Sequence, residues 1–434
     1  MASVQQKMSF ATLVSILERN YADRVNNNAR TKAALGFTIT ASETAPSGYN
    51  EWPGTTLSAS SIANIFTIEG GWLGNVNYIG PTTERCFNVR NVMTTAGSTP
   101  GVDSGYSTNA YKALVKTTAQ TLVWRVYFSQ NASKTSGVRF RVNDQYVSFT
   151  PLYKPTPNVA GFAYYSIDLS PLGNVAKCVT LEAQSGIQVS NVYAPKIATC
   201  WKPDLPRKPR VIVASDSYGQ GYSPDRYSGA VGYTGLLEPA MWDSYDQVFG
   251  DLFGVDAWPS SIGGTGYAAG GAGFAGPALQ NRLSDITYWS PDFVLLGYGY
   301  NDGSKWADGT ITQAAVQAAI PATISGIRAA LLNTPMIAIG AWPQQINSQK
   351  TSVEGYISAA IAALGASDRS AFVPMIGAYP VLLNGSGNTT APAADGNRDL
   401  YGASDGVHLS SPVGYAYLAQ RIAEPVLTAL RAMQ

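Results

Sequence analysis

The chain has 434 residues, enough for two domains with filled cores. Lys+Arg 29 against Asp+Glu 28 leaves no basic footprint for nucleic acid, and the charged fraction of 13% is about half the usual level. No apolar run approaches a membrane span, and three cysteines (Cys86, Cys178, Cys200) without metal-ligand spacing or an even count read as buried thiols.

Residues 1–35 form the first element. Phe10, Leu13, Val14, Leu17, Tyr21 and Val25 recur at steps of three and four, which predicts an amphipathic helix. The stretch "MSFATLVSIL" is interrupted by Ser and Thr, runs into Glu18-Arg19 and lacks a small-residue cleavage site, so it does not read as a signal peptide. The helix either packs on its own chain or serves attachment or homo-oligomerisation. From 36 to 200 short alternating runs are split by Gly, Pro, Asn and Ser. Leu122, Trp124, Val126 and Phe128 share one face, and "GVRFRVNDQYVSF" reads as a hairpin turning at Asn143-Asp144. Strands at this spacing predict a β-sandwich of jelly-roll type, a candidate carbohydrate-binding domain. Pro203, Pro206 and Pro209 make 201–210 a stiff linker. From 211 to 434 the runs "RVIVAS", "PDFVLLGYG" and "PMIAIGAW" alternate with helical patterns, which predicts a parallel α/β sheet with helices on both faces.

Four short motifs carry the chemistry of this second half. "VIVASDSYGQG" runs a strand into Asp216-Ser217, and chemistry in open α/β sheets gathers at the carboxyl ends of strands. Serine needs a base, and the chain has one histidine, His408, three residues after Asp405 in "SDGVHLS". Asn301, just past the strand of "PDFVLLGYGYND", can aim its amide at a developing oxyanion. A glycine in "SSIGGTGY" lets a backbone N–H approach a ligand closely. The run Gly264–Ala269 loosely matches a dinucleotide fingerprint, but it does not follow the first strand of a βαβ unit. An α/β-hydrolase elbow needs a glycine two residues before the nucleophile, where this chain has Ser215. One histidine and no cysteine cluster argue against a zinc hydrolase.

Together and in this order, the four motifs resemble the SGNH (GDSL-like) hydrolase family over about residues 208–434. Ser215-Asp216-Ser217 stands for Gly-Asp-Ser; Gly264, with Gly263 as rival, for the second block; Gly299, Asn301 and Asp302 for the third; Asp405 and His408 for the last. The resemblance implies a flavodoxin-like sheet, no cofactor and no metal. It also implies a triad of Ser217, His408 and Asp405, and an oxyanion hole from the N–H groups of Ser217 and Gly264 and the Asn301 amide.

The substrate is less legible. The β-rich domain before the hydrolase half resembles the layout of some carbohydrate esterases, no long apolar lid is evident, and aromatic residues fall near the strand exits. Asp216, Tyr267, Tyr300, Trp306 and Trp342 are candidate substrate contacts, with Tyr222 and Tyr298 nearby. These features favour O-acetyl groups of a polysaccharide, with lipid, thioester or small-ester hydrolysis as alternatives. The low charge, amide-rich composition and leading helix also resemble phage virion proteins, which implies an extracellular or virion-associated site of action. A carbohydrate- or receptor-binding protein with a weakly active hydrolase domain is the non-enzymatic alternative.

Overall fold

The computed structural model describes residues 7–54, 57–78, 85–90, 110–129, 136–184, 186–221, 241–270, 278–378, 382–383, 397–403, 405–411 and 413–434. They fall into two compact units, one built from residues up to Arg24 together with Lys208–Gln434, the other from Val25–Asn91 and Ser107–Arg207.

The second of these units is made of two antiparallel sheets. One runs in the order Ile39–Ser42, Gly161–Asp168, Thr121–Phe128, Ile187–Pro195, Arg85–Arg90, Trp72–Tyr78. The other runs Cys200–Trp201, Tyr111–Thr117, Lys177–Ala183, Val138–Val142, Gln145–Tyr146. Alternation along each strand sends every second side chain inward. Leu122, Trp124, Val126 and Phe128 of one sheet thereby share a single core with Phe140 and Leu181 of the other. The Asn143-Asp144 turn has φ of 50° and 59°, the left-handed pair that a two-residue hairpin requires. Cys86, Cys178 and Cys200 form no disulfide with one another, and Cys86 and Cys200 are buried.

In the other unit the parallel strands are β1 (Arg210–Ser215), β2 (Asp256–Ser261), β3 (Phe293–Gly297), β4 (Met336–Ile339) and β5 (Ser370–Val373), in the spatial order β2-β1-β3-β4-β5. The reversal beside β1 is a topological switch point, where such sheets open a crevice at their carboxyl ends. Its helices include α1 (Phe10–Arg24), α2 (Ser217–Gln220), α3 (Tyr245–Phe253), α4 (Tyr300–Ala307), α5 (Gln313–Ala330), α6 (Ser348–Ala362) and α7 (Val413–Ala432). Val211, Val213, Leu295, Ile337 and Ile339 enter a core shared with α1, α3 and α7. Their alternates Ile212, Ala214, Val294, Leu296 and Met336 are equally buried on the opposite face.

Helix α1 belongs with the parallel-sheet unit. Leu13, Val14 and Leu17 are in that core, Tyr21 stacks on Phe253 at 5.2 Å, and the Asn20 amide donates to the Phe253 carbonyl at 2.8 Å. The apolar face is therefore seated on its own chain. The helix ends at Arg24, so Val25 is not part of the stripe. No helix among the described residues is long and apolar enough to cross a membrane.

Candidate active site

Strand β1 ends at Ser215, and Asp216 then caps α2, its Oδ1 accepting the Tyr218 N–H at 3.0 Å. Ser217 is thus the first helical residue, at the crevice, on an N-terminus whose N–H groups favour negative charge.

His408 lies in a loop tied across its base. The loop closes through the Ala403 N–H to the His408 carbonyl at 2.8 Å and the Ser410 N–H to the Tyr401 carbonyl at 2.8 Å. The Tyr218 hydroxyl donates to the Val407 carbonyl, so the residue after Ser217 grips the residue before His408. Within this frame Asp405 Oδ1 accepts the N–H groups of Val407 and His408, both at 2.9 Å. Its Oδ2 lies 2.6 Å from His408 Nδ1, and His408 Nε2 lies 2.9 Å from Ser217 Oγ.

The charges suit that arrangement. Burial works against ionisation of Asp405, but the hydrogen bonds from the His408 ring and the two backbone N–H groups outweigh it and hold the carboxyl below its ordinary value. Burial lowers the His408 pKa below 6.5 despite the opposing pull of Asp405. At neutral pH the imidazole is therefore a free base, held by its Nδ1 side and facing a serine hydroxyl. Such a chain can take the serine proton as the oxygen attacks a carbonyl, and later return it to the leaving group.

Across from the histidine stands the loop after β2. Gly264 has φ +73°, a conformation that disfavours side chains. The Gly263 N–H is engaged by the Gln220 Oε1 at 3.0 Å, whereas the N–H groups of Gly264 and Ser217 have no hydrogen-bond partner among the described residues. Between the two rival glycines, then, Gly264 has the available donor. Asn301 lies in the first turn of α4 beside this loop, its Nδ2 donating to the Thr265 carbonyl at 2.9 Å and to Asp216 Oδ2 at 3.2 Å. Both amide hydrogens are thus engaged within the protein.

The next residue, Asp302, does work that sequence reasoning missed. Fully buried, it accepts the N–H groups of Tyr267 at 2.8 Å, Ala268 at 2.8 Å and Ala269 at 2.9 Å. A side chain at Gly266 would overlap this carboxylate, the ideal Cβ lying 2.6 Å from Oδ1.

The expected substrate contacts are mostly inside. Asp216 and Tyr267 are 0% exposed, Trp342 1% and Tyr300 5%. Trp342 stacks on Tyr218 at 4.8 Å, and Tyr300 meets Tyr218 edge-on at 5.7 Å, so these rings fill space beneath the crevice and offer no face to a sugar. Asp216 is likewise removed from substrate; burial pushes its pKa up to about 7. Tyr298 is buried with its hydroxyl on Arg282. Trp306 is partly exposed and stacks on Tyr356 at 6.4 Å. Tyr222 lies outside the described residues, as does much of the glycine-rich run beyond Gly270. Among the described residues no group of three or more His, Cys, Asp or Glu side chains is placed to hold a metal.

The fold is similar to that of solved carbohydrate esterases. A family two carbohydrate esterase from Clostridium thermocellum, solved with cellohexaose, superposes with a TM-score of 0.56 at 14% identity, over 85% of this chain and 99% of that one. The acetyl xylan esterase Est2A from Butyrivibrio proteoclasticus gives 0.53 at 12% identity, over 89% and 99%. The salicylyl-acyltransferase SsfX3 from a tetracycline biosynthetic pathway gives 0.57 at 14% identity, over 84% and 96%. No protein-family model and no curated protein sequence matches the chain. These likenesses extend over both units and concern the fold.

Proposed function

We propose that this chain is a serine esterase that removes O-acetyl groups from a polysaccharide through an acyl-enzyme. The observation that carries the reading is the continuous contact Asp405–His408–Ser217, at 2.6 and 2.9 Å, at the carboxyl end of the sheet. In this mechanism Ser217 Oγ attacks the ester carbonyl carbon as His408 Nε2 takes its proton. The N–H groups of Ser217 and Gly264 hold the oxyanion, joined by the Asn301 amide when its longer bond to Asp216 gives way. The same imidazole protonates the departing sugar oxygen and then activates water to release the acid. The two antiparallel sheets are read as a jelly-roll sandwich accompanying the catalytic unit. Polysaccharide is favoured because esterases of this fold include one solved with cellohexaose and one that acts on acetyl xylan.

Acyl transfer to an alcohol is a second reading, favoured by the equally good superposition on the salicylyl-acyltransferase. Acetate release from a panel of O-acetylated polysaccharides, wild type beside Ser217→Ala, tests the proposal. Release by wild type alone supports it. Cleavage of p-nitrophenyl acetate without release from any polymer moves the substrate to lipids or small esters, and product forming only with an added alcohol moves the reaction to transfer. No activity on any ester favours a binding protein.

A further inference from the structure

The loop that carries Gly264 is bonded by a residue of the first motif to which no role has been given. Gln220 is the last residue of α2, the helix that starts with Ser217, and its own N–H bonds the Asp216 carbonyl at 3.1 Å. Its side chain crosses to the loop after β2, where Oε1 accepts the Gly263 N–H at 3.0 Å. Gly263 is packed against the nucleophile, since a Cβ placed on it would lie 3.5 Å from Ser217 Cβ and 2.8 Å from Gln220 Oε1. The rest of the loop is held from other directions, Thr265 by Asn301 and 267–269 by Asp302. Gln220 alone, among the described side chains bonded to this loop, comes from the helix that carries Ser217.

We propose that Gln220 is a positioning residue of the oxyanion site: by engaging the Gly263 N–H it leaves the Gly264 N–H as the donor the loop presents beside Ser217. The inference rests on the esterase reading above. It adds a second tie between nucleophile and oxyanion donor, so that the two halves of the site are set by one short helix. Donors fixed before the reaction stabilise developing charge without reorganising, and they act on the transition state rather than on bound substrate. Loss of Gln220 is therefore expected in kcat, not KM.

The test uses the full chain with p-nitrophenyl acetate, active sites being counted by end-point labelling of Ser217 with a fluorophosphonate. Gln220→Leu keeps the bulk and removes the acceptor. Its kcat per labelled site is expected to fall about 10- to 100-fold with KM within about twofold, while the Ki of a boronic acid that forms a tetrahedral adduct on Ser217 rises by the same factor. Gln220→Glu keeps the accepted bond and the fold but brings a negative charge beside the developing anion. It is expected to unfold at the wild-type temperature with kcat at least about 10-fold lower. Wild-type kcat per site and wild-type labelling rate in either variant overturn the inference. So does a loss shared equally between kcat and KM. If wild type labels with fluorophosphonate yet cleaves no ester, the labelling rates of the two variants decide the matter. If wild type neither cleaves nor labels, the esterase reading falls and takes this inference with it.

Discussion

Asp302→Asn isolates the brace under the glycine loop without changing its shape. The carboxylate spreads three accepted bonds over two oxygens, Ala268 and Ala269 on Oδ1 and Tyr267 on Oδ2, in a site fully closed to water. The amide keeps one oxygen, so the Tyr267 N–H is left facing an NH2 group, an unsatisfied buried donor worth about 1–3 kcal/mol. The two surviving bonds lose their charge assistance, about 1 kcal/mol each. Burial already raises the Asp302 pKa against the pull of these N–H groups, so removing the charge returns part of its desolvation cost. A net loss of about 3 kcal/mol remains, which at a slope of about 3 kcal/mol/M moves a urea midpoint by about 1 M. A chain of two units unfolds in more than one step, so the transition to follow is the one displaced when Ser217 is labelled. The loop would also hold Gly264 less firmly, and kcat should fall about 10-fold or more. A midpoint shifted by less than about 0.3 M with unchanged kcat would refute the brace.

Three further outcomes are expected. Because the His408 pKa lies below 6.5 and its neutral form is the base, kcat/KM should rise with pH along a limb centred below 6.5; a centre above about 7 would contradict the burial argument. Gly264→Val places a β-branched residue at φ +73° and should lower kcat about 100-fold while costing only about 2 kcal/mol of stability. A large drop in melting temperature with normal turnover would count against that assignment. Leu17→Ala should cost about 3 kcal/mol in the parallel-sheet unit's unfolding transition, since this side chain is 0% exposed in the shared core. Unchanged stability would mean that α1 is not part of that core in solution.

The motifs were legible because each joins a reactive residue type to a strand exit or a loop, and a parallel sheet brings strand exits together whatever the intervening sequence. The strands of the 25–207 unit were legible because large apolar residues recur at every second position, as Leu122, Trp124, Val126 and Phe128 show, even though Val123 and Arg125 between them are buried as well. Helix α3 escaped detection for the converse reason. All nine of its residues are buried, so no polar face marks a period of 3.6. The aromatic residues at the strand exits misled for a related reason: position along the chain put Tyr267, Tyr300 and Trp342 near the crevice, but only packing shows that their rings point beneath it. The roles of Gln220 and Asp302 could not be read from spacing, because each is defined by backbone N–H groups more than thirty residues away.

The span between the two halves of the proposed relay sets an order in time. Ser217 and His408 are 191 positions apart, and His408 is the single imidazole of the chain. During synthesis the serine, the glycine loop and α4 therefore all emerge before any base is available to them. Until Asp405 and His408 leave the ribosome, Ser217 is an ordinary alcohol, harmless to every ester it meets. On the proposed mechanism reactivity arrives only when the loop closes against Tyr218, so completion of the fold would also be the step that arms the site.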